Sequence, residues 1–411
     1  MSLRTRNRFT RLAVAAAAIA ALALPAGAGA QAVVVEGKKG PAGNAFYYPS
    51  AKLIKGEPGT VIWQREIKYT PAGRVALKEA SKTLLVLYRS RDPKGRPVAV
   101  SGTVDLPKTP APQGGWKMIS WGHGTTGVAD QCAPSRTRAG GPADGYIQYA
   151  SATANRWLAG GYAVLRTDYE GLGTDGGHRY LIGRSEGRSI VDMALAARNV
   201  TAQGTLSDEY VIGGHSQGGQ SALFAAAEAA KDAPGLNLRG VFAYAPASHI
   251  YEQRVLIDNL GPDFGGLTGL AVMILDSAAR EAGIKTRTLV SPKVARLLPI
   301  LEKGCSPEIG KAYSKIAPRE ILRKGVKSDK IDAILKAMNP DVSIPVPVLI
   351  LQGSKDTTVF PNFTNDLKGE LEAKGNNLDF RPFEGLTHST IVTDSAPQEA
   401  VLEFLRTRLG S

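Results

Sequence analysis

From residue 83 onward, short apolar runs alternate with stretches whose apolar positions recur every three or four residues. Thr83-Leu84-Leu85-Val86-Leu87-Tyr88 and residues 97–104 flank Asp92-Pro93-Lys94-Gly95, a pattern that predicts two strands joined by a turn. Further apolar runs end at Trp121, Asp168, Gly213, Ala245 and Leu351, and residues 145–159, 188–200 and 220–231 carry helical spacing between them. Buried-type strands alternating with such helices predict an α/β fold, with a mostly parallel sheet covered on both faces. In that architecture ligands gather beyond the carboxyl ends of the strands, so chemistry is to be sought just after each run.

The alternation breaks once. Val241 and Val346 belong to successive strand runs 105 residues apart, and the stretch between them is mostly helical, at 267–282, 293–301 and 330–338. A connection that long carries a role of its own. It predicts a helical cap over residues 247–340, inserted between late strands of a core formed by 81–246 and 341–411. Residues 31–80, where Pro- and Gly-rich turns separate short apolar pieces, read as an N-terminal strap on that core. The first thirty residues read as a signal peptide: Arg4, Arg6, Arg8 and Arg11, then an Ala/Leu run too short to span a bilayer, then Ala28-Gly29-Ala30. No two of these arginines are adjacent, so export in the unfolded state and an extracellular destination are expected.

Composition changes this picture little. The chain is 43% hydrophobic and 21% charged, which suits a globular protein. Its net charge of +13 falls to +9 once the four leader arginines are removed. That surplus would favour anionic surfaces, but no basic run is interleaved with aromatic residues, and nucleic acid is not an expected partner. Cys132 and Cys305 are the two cysteines. In an exported chain they read as a disulfide, with two buried free thiols as the alternative.

Two segments fit Gly-x-Ser-x-Gly, at 183–187 and 214–218. In a chain with 46 glycines, context has to choose between them. Ser216 follows the strand run Tyr210-Val211-Ile212-Gly213 and precedes the helical run from Gln220, the strand–turn–helix that a nucleophile elbow needs. Ser185 lacks a preceding strand and reads as the approach to the helix at 188–200. A serine hydroxyl needs a base to take its proton and an acid to hold that base in the right tautomer. In the expected order of serine, acid, histidine, only His249 and His388 follow Ser216. His249 has no suitably placed acid before it and reads as a solvated or capping residue. His388 closes a loop after the strand run 378–383, and Asp356 follows the preceding strand. Asp366, Asp379 and Asp394 read as solvated charges. Oxyanion donors are expected from the N–H of Gln217 and from the loop Gly122-His123-Gly124-Thr125, with Thr125 first and Gly124 second.

Gly171-Leu172-Gly173-Thr174-Asp175-Gly176 matches a dinucleotide fingerprint, but it opens no helix directly and no acid follows at the required distance. Asp168 and Glu170 lie too close together to flank a glycosidic bond and read as wall residues near the site. No metal or cofactor is expected.

Together these residues resemble the secretory lipase family. The likeness rests on Gly122-His123-Gly124-Thr125, Cys132-Ala133-Pro134-Ser135, Asp168-Tyr169-Glu170-Gly171-Leu172-Gly173, Gly214-His215-Ser216-Gln217-Gly218-Gly219, Asp356 and His388. It implies an α/β-hydrolase fold with a helical cap, hydrolysis of acylglycerol or other carboxylic esters, no cofactor, and a disulfide tying Cys305 of the cap to Cys132 of the core. The partners it implies are small-molecule or lipid esters and a lipid interface. Two departures stand out: Gln217 where the fungal pattern has glycine, and no C-terminal flap in the 23 residues after His388. An acyltransferase or peptidase using the same triad, and a non-catalytic surface-binding protein on this fold, are the competing expectations.

Overall fold

The computed structural model describes residues 37–67, 77–137, 140–141, 143–257, 259–261 and 264–410. The signal-peptide segment 1–30 lies outside these residues. Among them nine strands form one sheet: β1 (Val61–Ile67), β2 (Ala80–Arg91), β3 (Pro97–Pro107), β4 (Trp116–Gly122), β5 (Ala163–Thr167), β6 (Leu206–His215), β7 (Asn237–Tyr244), β8 (Val348–Gly353) and β9 (Leu378–Phe383). Their order is β1-β2-β3-β5-β4-β6-β7-β8-β9. The first four in that order pair antiparallel, and every pairing from β5 to β9 is parallel.

The central strands are buried on both faces because their side chains feed two separate cores. Met118, Tyr210, Ile212, Val241, Ala243, Val348 and Ile350 point to one core, which is closed by α3 (Gly183–Val200), α4 (Gln217–Asp232) and part of α11 (Pro361–Ala373). Their alternating neighbours Ile119, Val211, Phe242, Tyr244, Leu349 and Leu351 enter the other, closed by α2 (Asp144–Ala159), α12 (Thr390–Thr393) and α13 (Ser395–Leu409). The two-residue period of a strand thus becomes two covered faces. This is the α/β-hydrolase arrangement.

The β2–β3 turn is held by Asp92, whose Oδ1 accepts the N–H groups of Lys94 and Arg96 at 2.9 and 2.8 Å. Before it, α1 (Ala51–Ile54) is a single turn, and the segment read as a strap supplies the edge strand β1. Trp63 of β1 packs with Phe46, Tyr47, Leu85 and Leu87 in a small core on the outer face of β2 and β3.

Among the described residues, six α-helices lie between β7 and β8: α5 (Ile250–Ile257), α6 (Gly265–Ala282), α7 (Thr286–Leu289), α8 (Pro292–Leu297), α9 (Ser306–Tyr313) and α10 (Asp329–Ala337). They share their own core, in which Val272, Met273 and Leu275 of α6 meet Ile309 and Tyr313 of α9 and Ile331 and Leu335 of α10. The helix expected at 293–301 divides in two, with a 3₁₀ turn over Leu298–Glu302. Pro299 has no N–H to continue the α-helical ladder. Cys305 caps α9 and forms a disulfide with Cys132, 173 residues earlier, with a Cα–Cα distance of 5.5 Å. Among the described residues no helix is long and apolar enough to cross a membrane.

Candidate active site

Ser216 sits where β6 ends and α4 begins, with φ 58° and ψ −118°. A backbone this strained persists only where its surroundings hold it. Ser216 N donates to Tyr244 O at 2.9 Å, and Ser216 O accepts from Gln220 N at 3.0 Å and Ala247 N at 3.1 Å. The turn is so tight that a Cβ on Gly214 would lie 1.9 Å from Gly218 O, and the neighbouring strand end is so close that one on Gly218 would lie 2.0 Å from Gly122 O. Both positions therefore require glycine. The Ser216 hydroxyl caps no N–H of α4, and the residue is only 8% exposed.

His388 and Asp356 meet directly: His388 Nδ1 is 2.7 Å from Asp356 Oδ2. The aspartate is buried, while the histidine side chain is 18% exposed. Asp356 Oδ1 accepts the N–H groups of Thr358 and Val359 at 2.8 and 2.9 Å, which fixes the carboxylate plane. His215 joins this pair to the serine segment. Its Nε2 lies 3.0 Å from His388 O, and the two rings are 4.7 Å apart. Burial drives the His215 pKa well below the usual histidine value. The ring is therefore neutral, and its Nε2–H donates to the His388 carbonyl. Among the described residues no hydrogen bond joins Ser216 to His388. Such bonds are often long in unliganded sites and tighten when substrate binds.

The two expected donors from the early loop separate. Gly124 N–H donates to the Tyr146 hydroxyl, so it is already engaged. Thr125 shares a hydrogen bond between its Oγ1 and Tyr180 OH at 2.7 Å, which leaves its N–H out of that contact. Gln217 is the first residue of α4, where backbone N–H groups have no partner within the helix. The Gly124 N–H is thus engaged by Tyr146, whereas the N–H groups of Gln217 and Thr125 are not taken up by these contacts.

Other assignments change as well. The helix expected to start at residue 188 starts at Gly183, which puts Ser185 in its first turn. There the Ser185 hydroxyl donates to Glu170 Oε2, away from any elbow. Asp168 and Glu170 are buried structural carboxylates rather than wall residues. Asp168 Oδ2 accepts from Ser101 at 2.6 Å and also from Ser135 Oγ, and Oδ1 accepts from Ser135 N at 2.9 Å. This links the Asp-Tyr-Glu-Gly and Cys-Ala-Pro-Ser segments. Glu170 pairs with Arg179 at 3.0 Å. His249 is buried rather than solvated, with its Nε2 3.2 Å from Glu370. Asp394 caps α13 and Asp379 pairs with Arg381.

The sequence reading missed a fully buried group beneath the elbow, Glu186 with His178. Burial raises Glu186 to about 8 and lowers His178 to about 3. A usable signal was present: Glu186 heads the buried stripe Ile190, Ala194 and Ala197 of α3, at helical spacing.

These buried groups set opposite pH slopes. Burial also raises Asp168 to about 6 and Asp192 to about 7, and lowers His123 to about 4. A raised carboxyl stabilises the fold at low pH, and that stability is lost as pH climbs through its folded value. A depressed histidine stabilises above its unfolded value, and that stability is lost as pH falls towards its folded one. A thermal melt series should therefore show Tm falling by several degrees between about pH 6.5 and 8, where Glu186 and Asp192 still lose stability and the histidines no longer gain it. A Tm that rises steadily from pH 6 to 8 would contradict these assignments.

A secretory lipase family model matches residues 143–410. The secreted triacylglycerol lipase LIP3 of Malassezia restricta is 24% identical over 90% of this chain and 80% of its own length. A protein of Mycobacterium tuberculosis named as a probable inactive lipase is 24% identical over 87% of this chain and 80% of its own. Among solved structures, Candida antarctica lipase A in its closed state superposes with a TM-score of 0.68 at 20% identity, covering 83% of this chain and 80% of that one. A rice cell wall degrading esterase from Xanthomonas oryzae gives 0.67 at 18% identity, covering 86% and 99%.

Proposed function

The chain belongs to the secretory lipase family, and from that premise we propose that it is a secreted serine hydrolase of lipid and other carboxylic esters. The observation that carries the reading is the 2.7 Å contact between His388 Nδ1 and Asp356 Oδ2, beside the strained turn at Ser216. Ser216 Oγ attacks the ester carbonyl while His388 Nε2 takes its proton. Asp356 keeps Nδ1–H pointed at itself and stabilises the imidazolium. The N–H groups of Gln217 and Thr125 receive the oxyanion, aided by the positive end of the α4 dipole. His388 returns the proton to the departing alcohol, and water then opens the acyl-enzyme by the same route.

An apolar pocket supports a fatty-acyl substrate. Ile250, Leu267, Leu270, Ile274 and Leu335 of the inserted helices line it, together with Thr358 and Phe360 from the loop that follows Asp356. Residues 247–340 act in this reading as a cap over the site, with the disulfide tying cap to core. Residues 1–30 act as an export leader, in keeping with a disulfide that needs an oxidising compartment.

The test is a series of p-nitrophenyl esters of increasing acyl length, run in water and with alcohol or amine acceptors. Turnover is expected to rise from acetyl to medium chains, with water as the main acceptor. Ile274→Trp, which fills the pocket, should shift the preference towards acetyl. Transfer to alcohols or amines in preference to water would favour an acyltransferase instead. No labelling of Ser216 by a fluorophosphonate would place the chain with its relative named as inactive.

A further inference from the structure

We propose that Glu186 is a positioning residue of this site: it clamps Gln217 and thereby holds one backbone donor of the oxyanion hole. The proposal rests on the ester-hydrolase reading above.

Glu186 lies in the first turn of α3, fully buried where α3 packs along α4. Its Oε1 accepts from Leu181 N at 2.9 Å and from Gln217 Nε2 at 2.7 Å. The second hydrogen of the Gln217 amide points to His178 Nε2, 2.9 Å away. That nitrogen can accept, because His178 Nδ1 lies 3.2 Å from Glu170 O and donates to it. Both amide hydrogens of Gln217 are thus engaged, and its side chain is fixed from two directions.

The other carboxyl oxygen holds the main chain of the same residue. Glu186 Oε2 meets Ser221 Oγ, which lies 2.8 Å from Gln217 O. Ser221 has one hydroxyl proton for these two acceptors. A proton on Glu186 Oε2 completes the set, since Glu186 then donates to Ser221 and Ser221 donates to the Gln217 carbonyl. Burial, which raises the Glu186 pKa to about 8, favours that proton. A glycine after the nucleophile offers no side chain to hold, so the clamp is a consequence of Gln217 in this chain.

The segment carrying these groups braces the opposite donor too. Tyr169 OH donates to His123 O at 2.8 Å, and Tyr180 OH bonds Thr125 Oγ1 at 2.7 Å. Tyr169 and Leu181 take φ values of 73° and 60°, a shape these residues hold only under packing. One buried framework therefore sets both proposed oxyanion donors.

Glu186→Ala is expected to lower kcat by roughly 10–100-fold with KM little changed, because a donor displaced by about 1 Å loses much of its effect in the transition state. Glu186→Gln, whose amide can donate to Ser221 while its oxygen accepts from Leu181 and Gln217, should restore most of the turnover. Asp192→Asn is the structural control. Asp192 is buried on the same helix and accepts from Ser90 at 2.6 Å, so its loss should lower Tm and spare kcat. If Glu186→Ala does not fold, Gln217→Leu decides, since it removes the clamped amide and keeps the backbone N–H. Unchanged kcat in the deciding variant, a loss confined to KM, or an equal kcat loss in Asp192→Asn overturns the clamp and leaves the hydrolase reading standing. A wild-type chain that neither turns over esters nor labels at Ser216 overturns both.

Discussion

Ser216→Ala is expected to leave a folded chain whose ester turnover drops by roughly 10⁴–10⁶-fold, because on the proposed mechanism the acyl-enzyme could no longer form. The fold survives because Ser216 holds the elbow through its backbone alone, bonding Tyr244, Gln220 and Ala247 by main-chain atoms while its hydroxyl caps nothing. Alanine meets the same steric limits as serine at this positive φ, so the turn gains little new strain. Melting temperature and circular dichroism should match wild type while p-nitrophenyl ester hydrolysis disappears. Normal turnover in the variant would sink the assignment. Ser185→Ala is the companion measurement, and it should keep turnover because the Ser185 hydroxyl donates to Glu170 rather than to a substrate.

Asp356→Asn should cost roughly 10³–10⁴-fold in kcat with only a small change in Tm, and the reason can be read from the hydrogen bonds. The N–H groups of Thr358 and Val359 require an oxygen at the Oδ1 position. An asparagine would therefore turn its NH₂ towards His388 Nδ1, which then has to accept. The proton moves to Nε2, and the histidine loses the lone pair that should take the serine proton. Kinetics of Asp356→Asn beside Asp356→Ala separate this from simple loss of charge. Full activity in the asparagine variant would show that the carboxylate does not orient His388.

The parts of this site that could be read from the sequence are those whose constraint is local. Gly214, two residues before Ser216, is demanded by Gly218 within the same turn, so the motif with its flanking strand and helix suffices to locate the turn, while Gly218 answers to Gly122 at the end of β4. Asp356 and His388 follow from strand order, because each lies in the loop after its own strand. The engagement of the Gly124 N–H could not be read in the same way, because its partner is Tyr146, a residue on a different element, α2. Ser185 looked like loop because Gly183 and Ser185 are weak helix formers, whereas in the fold this first turn of α3 lies against Phe224 and Ala225 of α4. In each case tertiary contact overrode local preference.

By itself, the sequence determined the α/β alternation, the long helical stretch between two late strands, and the order in which Ser216, Asp356 and His388 follow their strands. These depend on periodicity and on residues adjacent along the chain. Only the tertiary structure decided which loop N–H is engaged, that Asp168 and Glu170 serve the interior, and that Glu186, His178 and Gln217 form one buried hydrogen-bonded group. A polar side chain buried far from water must find partners, and those partners come from whichever elements the fold brings against it. Glu186 is 31 residues from Gln217 along the chain and 2.7 Å from its amide in space.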